Sequence, residues 1–308
     1  MKPKSPLSRV GNVRELAKAR QFLRDQEAAG AVMMHPPGHY ASPIPSLPEV
    51  RARENEIFAR PPTVPGIDVR EGDQLELVRE FAALYADQPF GIKQQEGLRY
   101  HLDNNWFGFA DGLMLHCMLR AKRPARIIEV GSGFSSAAIL DTRDRFLPDL
   151  ECTFVEPYPD RLRRLLSDDD AQRNRIIEEP VQRVALDVFD DLRAGDFLFI
   201  DSTHVSKVGS DVNRLVFDVL PRLQPGVFVH FHDIGWPFEY PKQWVYAGRA
   251  WNEAYLVRAL LTFSSAFEIV LFNHYLSLFH GPEVEAAMPL WARAPGGSLW
   301  IRRVDQSS

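Results

Sequence analysis

The spacing of apolar residues predicts two amphipathic helices before the first strand of the core. Apolar positions with the period of a helix occur at Leu77, Val78, Phe81, Leu84 and Tyr85, and again at Ala110, Leu113, Met114, Cys117 and Met118. Both sets repeat at intervals of three and four, which places the apolar side chains on one helical face. The aromatic stretch between them, GLRYHLDNNWFGFADG, predicts either a cover over a binding site or an ordinary junction in the core.

Short continuous apolar runs follow and are typical of strands buried on both faces of a sheet. Strands are predicted at 126–130, 152–155, 196–200, 226–231, 267–272 and 298–304, and helices at 135–140 and 211–223. This alternation predicts an α/β fold with a mainly parallel sheet and helices on both faces. The stretch that contains His274, His280 and Pro282 is interpreted as a loop near the sheet edge.

Proline is concentrated near the beginning of the chain. Ten of the 23 prolines fall in the first 66 residues, which excludes a continuous helix or sheet there. Val13, Leu16 and Leu23 could line one face of a short helix, and a loosely attached arm is the alternative. We therefore predict a proline-rich extension over 1–66, a helical cap over 67–124 and a core over 125–308.

A glycine turn and a later acid predict a nucleotide-type site. Gly131 and Gly133 follow the first core strand, and a helix begins directly after them. Such a turn brings backbone N–H groups and the positive end of the helix towards a ligand. Glu156 ends the second strand, 23 residues after Gly133, where a carboxylate can accept hydrogen bonds from a ribose diol. A plain strand-to-helix turn is the alternative.

The motif EVGSG resembles the class I S-adenosylmethionine-dependent methyltransferases, in which an acid directly precedes the glycine turn. A dinucleotide dehydrogenase instead has G-x-G-x-x-G, and Ser136 stands at the last glycine position here. Further resemblance, to bacterial members described only as a methyltransferase domain, covers residues 75–277 through EGLRYHLDN, FIDSTHVSKVGSDVN, LPRLQPGVFVHFHDI and WNEAYLVRALL. It implies a Rossmann-like sheet of seven strands with an antiparallel last strand, and S-adenosylmethionine as the cofactor.

The same resemblance implies which residues contact the cofactor. It assigns contacts to Glu129, Gly131, Ser132 and Gly133, and ribose recognition to Glu156. Many members have a third glycine where this chain has Ser135, so Ser135 is a departure that adds a hydrogen-bonding side chain to the site.

Two clusters of ionisable residues follow neighbouring predicted strands. FIDSTH supplies Asp201 and His204, and HFHDI supplies His232 and Asp233. Ligands of such sheets bind beyond the carboxyl ends of the strands, so these four residues are the predicted catalytic group, with Asp201 also facing the cofactor. An imidazole could accept a hydroxyl proton and a carboxylate could orient it.

Structural roles and metal binding are the competing interpretations of these residues. His230 is interpreted as a structural histidine and Asp211 as a helix N-cap. Acids at strand ends could hold a divalent metal ion, an alternative that we do not favour because the Asp, Asp, Asn ligand set of metal-dependent relatives is not evident. After Asp233, the aromatics of GWPFEYPKQWVYAGRAW predict acceptor-pocket walls, a cap on the core or a subunit contact.

Composition limits the remaining functions. The chain has 308 residues, 45% hydrophobic content and a formal charge of −5, which allows a full core and does not favour a nucleic-acid partner. Cys117 and Cys152 are too few for a disulfide framework and are expected to pack in the core. No apolar run has the length of a membrane span, and no signal-peptide core is evident near Met1. We therefore expect a cytoplasmic enzyme and consider a homodimer.

Three functions are compatible with the sequence. The leading hypothesis is a methyltransferase that acts on a small-molecule, glycan or lipid-linked hydroxyl. The second is an NAD-dependent oxidoreductase, against which Glu129 and Ser136 argue. The third is a protein that binds S-adenosylmethionine without catalysis.

Overall fold

The computed structural model describes residues 20–21, 24–25, 30 and 34–305, with the side chain of Asp168 excepted. The chain divides into a first unit that ends at Glu54 and a second unit that begins at Asn55. The helix considered around Val13, Leu16 and Leu23 lies outside the described residues. The boundaries predicted at residues 66 and 124 differ from this division and remain predictions.

Seven strands form one sheet in the second unit, in the order β3-β2-β1-β4-β5-β7-β6. The strands are β1 (Arg126–Val130), β2 (Glu151–Val155), β3 (Arg175–Ile177), β4 (Phe197–Ile200), β5 (Phe228–Phe231), β6 (Phe267–Phe272) and β7 (Leu299–Arg303). Neighbouring strands from β3 to β5 pair in parallel, whereas β7 is antiparallel to both β5 and β6. The predicted Rossmann-like sheet with an antiparallel last strand is therefore confirmed.

Helices connect most of these strands. The α-helices are α1 (Leu47–Ala52), α2 (Glu54–Ile57), α3 (Glu71–Tyr85), α4 (Phe109–Lys122), α5 (Phe134–Phe146), α6 (Asp160–Leu165), α7 (Asp168–Arg173), α8 (Asp187–Asp190), α9 (Asp211–Asn213), α10 (Lys242–Tyr246), α11 (Glu253–Phe263), α12 (Asn273–Phe279) and α13 (Gly281–Ala287). The segment α9 continues as a π-helical stretch, Arg214–Val219, and a 3₁₀ turn, Leu220–Arg222. The predicted loop around His274 and His280 is wrong, because α12 and α13 occupy it.

Two apolar cores lie on opposite faces of the sheet. Along β4, Phe197 and Phe199 join one core, and Leu198 and Ile200 join the other. The first core packs against α3, α4 and α5, and the second packs against the 211–222 helical segment and α11. Since successive residues of a strand point to opposite faces, both faces of the strand need apolar side chains. This explains the continuous apolar runs in the sequence.

The strand register aligns four carboxyl ends at one edge of the sheet. Val130 pairs with Val155 on one side and with Ile200 on the other. Ile200 pairs in turn with Phe231, the last residue of β5. Residues that directly follow these strands therefore meet at the same edge, which is where the predicted site residues lie.

A buried cluster of ion pairs fixes the segment that precedes α4. Arg99 donates to Asp170 through Nε at 2.8 Å and Nη2 at 2.7 Å, and to Asp141 through Nη1 at 2.8 Å. The same guanidinium reaches Asp144 at 2.8 Å. Asp141 also accepts the backbone N–H groups of Arg99 and Tyr100. Because Asp141 is on α5 and Asp170 on α7, one arginine joins three separate parts of the chain.

Candidate functional site

A cleft with two adjoining lobes lies beyond the carboxyl ends of β1, β2, β4 and β5. The larger lobe has a volume of about 600 Å³ and the smaller about 440 Å³. The residues that line both lobes are Gly131, Glu156, Asp201, Ser202 and Thr203. The larger lobe is also lined by the glycine turn, His204, His232 and Asp233. The structure therefore brings the predicted cofactor and catalytic groups, except Glu129, together in one cleft.

Gly131 allows the ends of β1 and β4 to approach each other closely. Its φ is +84°, and a Cβ atom built on it would lie 1.9 Å from the carbonyl oxygen of Asp201. The N–H of Asp201 donates to the carbonyl of Val130 at 2.9 Å, which holds the two chains at this separation. Only glycine fits this position, for steric and conformational reasons together.

Glu129 supports the glycine turn from below. Its side chain is fully buried and does not line either lobe. The hydroxyl of Ser136 donates to Glu129 and accepts the N–H of Gly133 at 2.9 Å. Burial raises the pKa of Glu129 to about 8, against hydrogen bonds from Ser135 and Ser136. A direct contact between Glu129 and a ligand in the cleft is not supported by this position, whereas Ser132, Gly133 and Ser135 line the larger lobe.

Glu156 lies between the two lobes at the end of β2. One of its oxygens accepts the N–H of Ser132 at 3.0 Å, and the other accepts the N–H of Tyr158 at 2.8 Å. These bonds fix the carboxylate beside the glycine turn and leave further lone pairs on each oxygen. The predicted ribose contact fits this geometry.

His204 forms a buried hydrogen-bonded pair with Glu253 at the start of α11. The Nδ1 atom of His204 lies 2.9 Å from Oε2 of Glu253, and the hydroxyl of Ser202 donates to the other oxygen at 2.9 Å. The Nε2 atom lies 3.5 Å from Oδ1 of Asp201 and 3.8 Å from Oδ2 of Asp233. The bond to Glu253 therefore orients the ring so that Nε2 points towards the two other acids.

His232 and Asp233 complete the floor of the larger lobe. Nε2 of His232 lies 3.6 Å from Oδ1 of Asp233. Burial raises the pKa of Asp233 above its usual range, against the charges of His232 and His204. His230 points away into the core, where its ring stacks on Phe199 at 3.8 Å, and burial holds its pKa well below the usual range. These contacts fit the structural interpretation of His230.

The loop before β7 supports this floor through Asp111 on α4. Oδ1 of Asp111 accepts the N–H groups of Gly297 at 3.1 Å and Ser298 at 3.0 Å. A Cβ atom on Gly297 would lie 2.8 Å from Cα of Asp233. The N–H of Ile234 donates to Gly297 at 2.9 Å. The end of β5 is thus held against the beginning of β7.

The predicted aromatic segments divide between the cavity and the core. Trp106 and Phe107 line the larger lobe, as a covering segment would, and the ring of Phe107 lies 5.2 Å from that of His232. In the later segment, Trp244 and Trp251 reach the cavity. Trp236, Phe238 and Tyr240 pack in the core instead.

Three functional candidates in or beside the cleft were absent from the sequence prediction. Glu253 supports His204, and Arg161 and Arg249 line the larger lobe.

The prediction that Asp211 is an N-cap is wrong, because the hydroxyl of Ser210 accepts the N–H of Asn213 at 3.2 Å. Asp211 instead accepts the N–H and hydroxyl of Thr203, 2.8 and 2.7 Å away. It therefore holds the loop that carries His204.

The described residues also bear on metal and membrane binding. Within 34–305 and the few described residues before it, no group of three or more His, Cys, Asp or Glu side chains is arranged to hold a metal ion. Cys117 and Cys152 are both free and buried. No helix in the described part of the chain is both long and apolar enough to cross a bilayer.

The charge on His204 is expected to make folding stability depend on alkaline pH. Burial opposes the charged form, but hydrogen bonds to Asp201 and Glu253 raise the pKa of His204 to about 10. Because the folded pKa exceeds the unfolded one, this stabilisation is complete below about pH 6.5 and disappears as pH rises through 10. Between pH 7 and 10 the wild type should lose on the order of 2 to 4 kcal/mol more unfolding free energy than His204→Gln. Urea denaturation of both proteins at each pH measures this, and equal pH slopes would contradict it.

Comparison with known proteins gives matches at three levels. Residues 128–234 match a family model described as a methyltransferase domain. An uncharacterized protein of Archaeoglobus fulgidus is 38% identical over 165 residues, which are 51% of this chain and 73% of the relative.

Solved structures similar to this chain include CmcI and a methyltransferase of Podospora anserina. One is CmcI in its apo form, with a TM-score of 0.44 and 15% identity over 73% of this chain and 84% of that one. The other is PaMTH1 of Podospora anserina with S-adenosylhomocysteine bound, with a TM-score of 0.42 and 16% identity over 89% of this chain and 100% of that one.

The family model extends from β1 through the glycine turn to the end of β5, and so includes the strands that carry the cleft. It includes the motif EVGSG, and the seven-stranded sheet with its antiparallel β7 is the arrangement that the resemblance implied. The chain belongs to the class I methyltransferases, the enzymes that use S-adenosylmethionine as their methyl donor.

Proposed function

We propose that the protein methylates a hydroxyl oxygen of a small-molecule, glycan or lipid-linked acceptor, with His204 as the group that takes the hydroxyl proton. The observation that supports this most directly is the pairing of His204 Nδ1 with Glu253 at 2.9 Å, which leaves Nε2 at the cleft. A histidine fixed in this way has one defined nitrogen with which to accept a proton. The cytoplasmic location, bacterial origin and homodimer inferred from the sequence remain predictions.

The residues that line the cleft suit the chemistry of S-adenosylmethionine. Glu156 can accept hydrogen bonds from the ribose hydroxyls, and the glycine turn lets Ser132 and Gly133 approach a ligand closely. Asp201 faces the cleft, and although burial would raise its pKa, the charges of His232 and His204 keep it below the usual range. A carboxylate that stays ionised suits a cationic ligand. When bound, S-adenosylmethionine supplies a methyl group whose bond to sulfur breaks, with its electron pair left on sulfur, as the bond to the acceptor oxygen forms.

The protein's own residues position the acceptor and manage its proton. Asp233 lines the larger lobe beside His204 and can accept a hydrogen bond from the acceptor hydroxyl. Nε2 of His204 then takes the proton, and Glu253 stabilises the resulting imidazolium through its bond to Nδ1. Since the pKa of His204 is raised to about 10, the neutral base becomes more abundant as pH rises. A cation in the same cleft is expected to lower that pKa.

Replacement of His204 tests this proposal. Activity is measured with labelled S-adenosylmethionine and a panel of hydroxyl compounds. His204→Gln should lower kcat by about 10²- to 10⁴-fold, the loss expected when a general base is removed. Its affinity for S-adenosylhomocysteine should change less than about twofold, because Glu156 and the glycine turn are unaltered. Glu253→Gln should lower kcat less and shift the alkaline limb of the pH–rate profile, as expected of a positioning residue. An unchanged kcat in His204→Gln would exclude the proton-accepting role.

Calorimetric titration separates the proposal from the two alternative functions. We expect the wild type to bind S-adenosylmethionine and S-adenosylhomocysteine but not NAD. Binding of NAD alone would favour an oxidoreductase. Tight binding of the sulfur nucleotides without methyl transfer to any compound would favour a protein that binds the cofactor without catalysis.

A further inference from the structure

We propose that the acceptor is an anionic hydroxy compound, with a carboxylate or a phosphate monoester that binds Arg249 at the rim of the larger lobe. This inference rests on the proposed function, because it names the class of molecule that the methyltransferase site accepts. It concerns an arginine that has no part in the proton transfer described above.

Two tryptophans hold the guanidinium of Arg249 in place. Its Cζ lies 4.5 Å from the ring centre of Trp244 and 4.8 Å from that of Trp251. The two indoles meet edge to face, with centres 5.3 Å apart and planes inclined by 75°. The backbone N–H of Arg249 donates to the carbonyl of Trp244 at 3.0 Å. A guanidinium fixed by aromatic contacts loses little further freedom when it binds a ligand.

The guanidinium has no acidic partner among the residues that the structure describes. Throughout residues 34–305, no carboxylate forms an ion pair with the side chain of Arg249. Other arginines of this chain do have such partners, as Arg99 and Arg222 show. The planar fork of N–H donors on an arginine matches the oxygens of a carboxylate or a phosphate. A fixed, unpaired guanidinium at a cavity is therefore suited to an anionic ligand.

The position of Arg249 also fixes the direction in which such a ligand lies. The ring of Trp251 contacts His204, at 4.4 Å between ring centres. Trp251 therefore lies between Arg249 and the proposed base. Asp201 on the floor stays ionised and would repel an anionic group. The charged end of the acceptor therefore belongs at the exposed rim, and its hydroxyl belongs at the floor.

Arg161 accounts separately for the carboxylate of the cofactor. Its Cδ would lie 3.1 Å from a Cβ atom on Gly133, which places this side chain against the glycine turn. Its guanidinium stacks on Trp106 at 3.8 Å. S-adenosylmethionine has a single carboxylate, and the arginine beside the glycine turn is suited to it. Arg249 then remains for the acceptor.

The test uses the full chain saturated with S-adenosylhomocysteine. Calorimetry and tryptophan fluorescence follow titration with 4-hydroxybenzoate, 4-hydroxyphenyl phosphate and the neutral 4-hydroxybenzamide at constant ionic strength. We expect at least one anionic probe to bind 10-fold or more tightly than the amide, and the preferred anion identifies carboxylate or phosphate recognition. Arg249→Ala should abolish the preference, and Arg249→Lys should restore it in part.

The control is Arg258→Ala, which removes the same charge from an exposed position on α11 outside the cavity. It should keep the preference for the anionic probe. Equal or absent binding of the anionic probes by the wild type, or a preference that survives Arg249→Ala, would overturn the inference. If the proposed function is wrong, the methyl-transfer assay shows no transfer from S-adenosylmethionine, and the binding assay still shows the preference for an anionic probe.

Discussion

Gly131→Ala should lower the free energy of unfolding by at least about 3 kcal/mol and abolish measurable binding of S-adenosylhomocysteine. The added Cβ would lie 1.9 Å from the carbonyl oxygen of Asp201, which is backbone and cannot rotate away. The left-handed φ of +84° adds roughly 1 to 2 kcal/mol for any residue with a side chain. Relief of the clash requires β1 and β4 to separate at the floor of the cleft. Denaturation and calorimetry measure the two effects.

Gly133→Ala is the matched control, two residues later in the same turn. Its φ of 171° is extended backbone, and a Cβ there would meet only Cδ of the flexible Arg161 side chain, at 3.1 Å. We expect Gly133→Ala to lower the free energy of unfolding by less than about 1 kcal/mol, because the Arg161 side chain can move aside easily. If Gly131→Ala proves no more destabilising than Gly133→Ala, the close approach of β1 and β4 does not limit stability.

Arg99→Met should cost about 3 to 5 kcal/mol of unfolding free energy, the range for removal of one partner from a buried ion pair. The substitution leaves Asp141 and Asp170 without their guanidinium, and their side chains are 0% and 2% exposed. Bonds from Arg99 contribute to a lowered pKa for Asp170, against burial, so this stabilisation is present above the usual aspartate pKa and disappears as pH falls. The wild type should therefore lose more stability than Arg99→Met between pH 5 and the acid transition.

Lys93→Met provides the comparison for Arg99→Met. The Lys93 and Asp103 side chains also form an ion pair, but they are 78% and 49% exposed. Exposed pairs contribute about 0 to 1 kcal/mol. Urea denaturation of both variants gives the two costs, and similar values would mean that the Arg99 cluster is no more important to folding than a surface pair.

The fold was largely predictable because its strands are buried on both faces. The apolar runs of β1, β4 and β5 are continuous, and the structure places each within two residues of its predicted bounds. β3 was not predicted, since it has three residues and none of them is fully buried. The helices around His274 escaped prediction because histidine, glycine and proline in that stretch resemble a loop.

The residues of the candidate site were predictable only where they directly follow the ends of strands. Asp201, His204, His232 and Asp233 come directly after β4 and β5, so the register alone places them together. Glu253 is 49 residues from His204 and begins a helix, where an acid usually has only a capping role. Its contact with His204 depends on how α11 packs, which no local pattern contains. Glu129 is the opposite case. Its motif indicated a contact with the cofactor, whereas its side chain packs below the glycine turn and supports it.

The position of β7 makes the order of synthesis important for this enzyme. β7 is made after the other six strands of the sheet but lies inside it, between β5 and β6, and both of its edges are paired. Until residue 303 has left the ribosome and its exit tunnel, β5 and β6 cannot pair with it and expose unsatisfied edges. The loop that holds Asp233 is also incomplete until then. A nascent chain of this protein therefore needs protection from aggregation until β7 has emerged, although the other six strands have already been made.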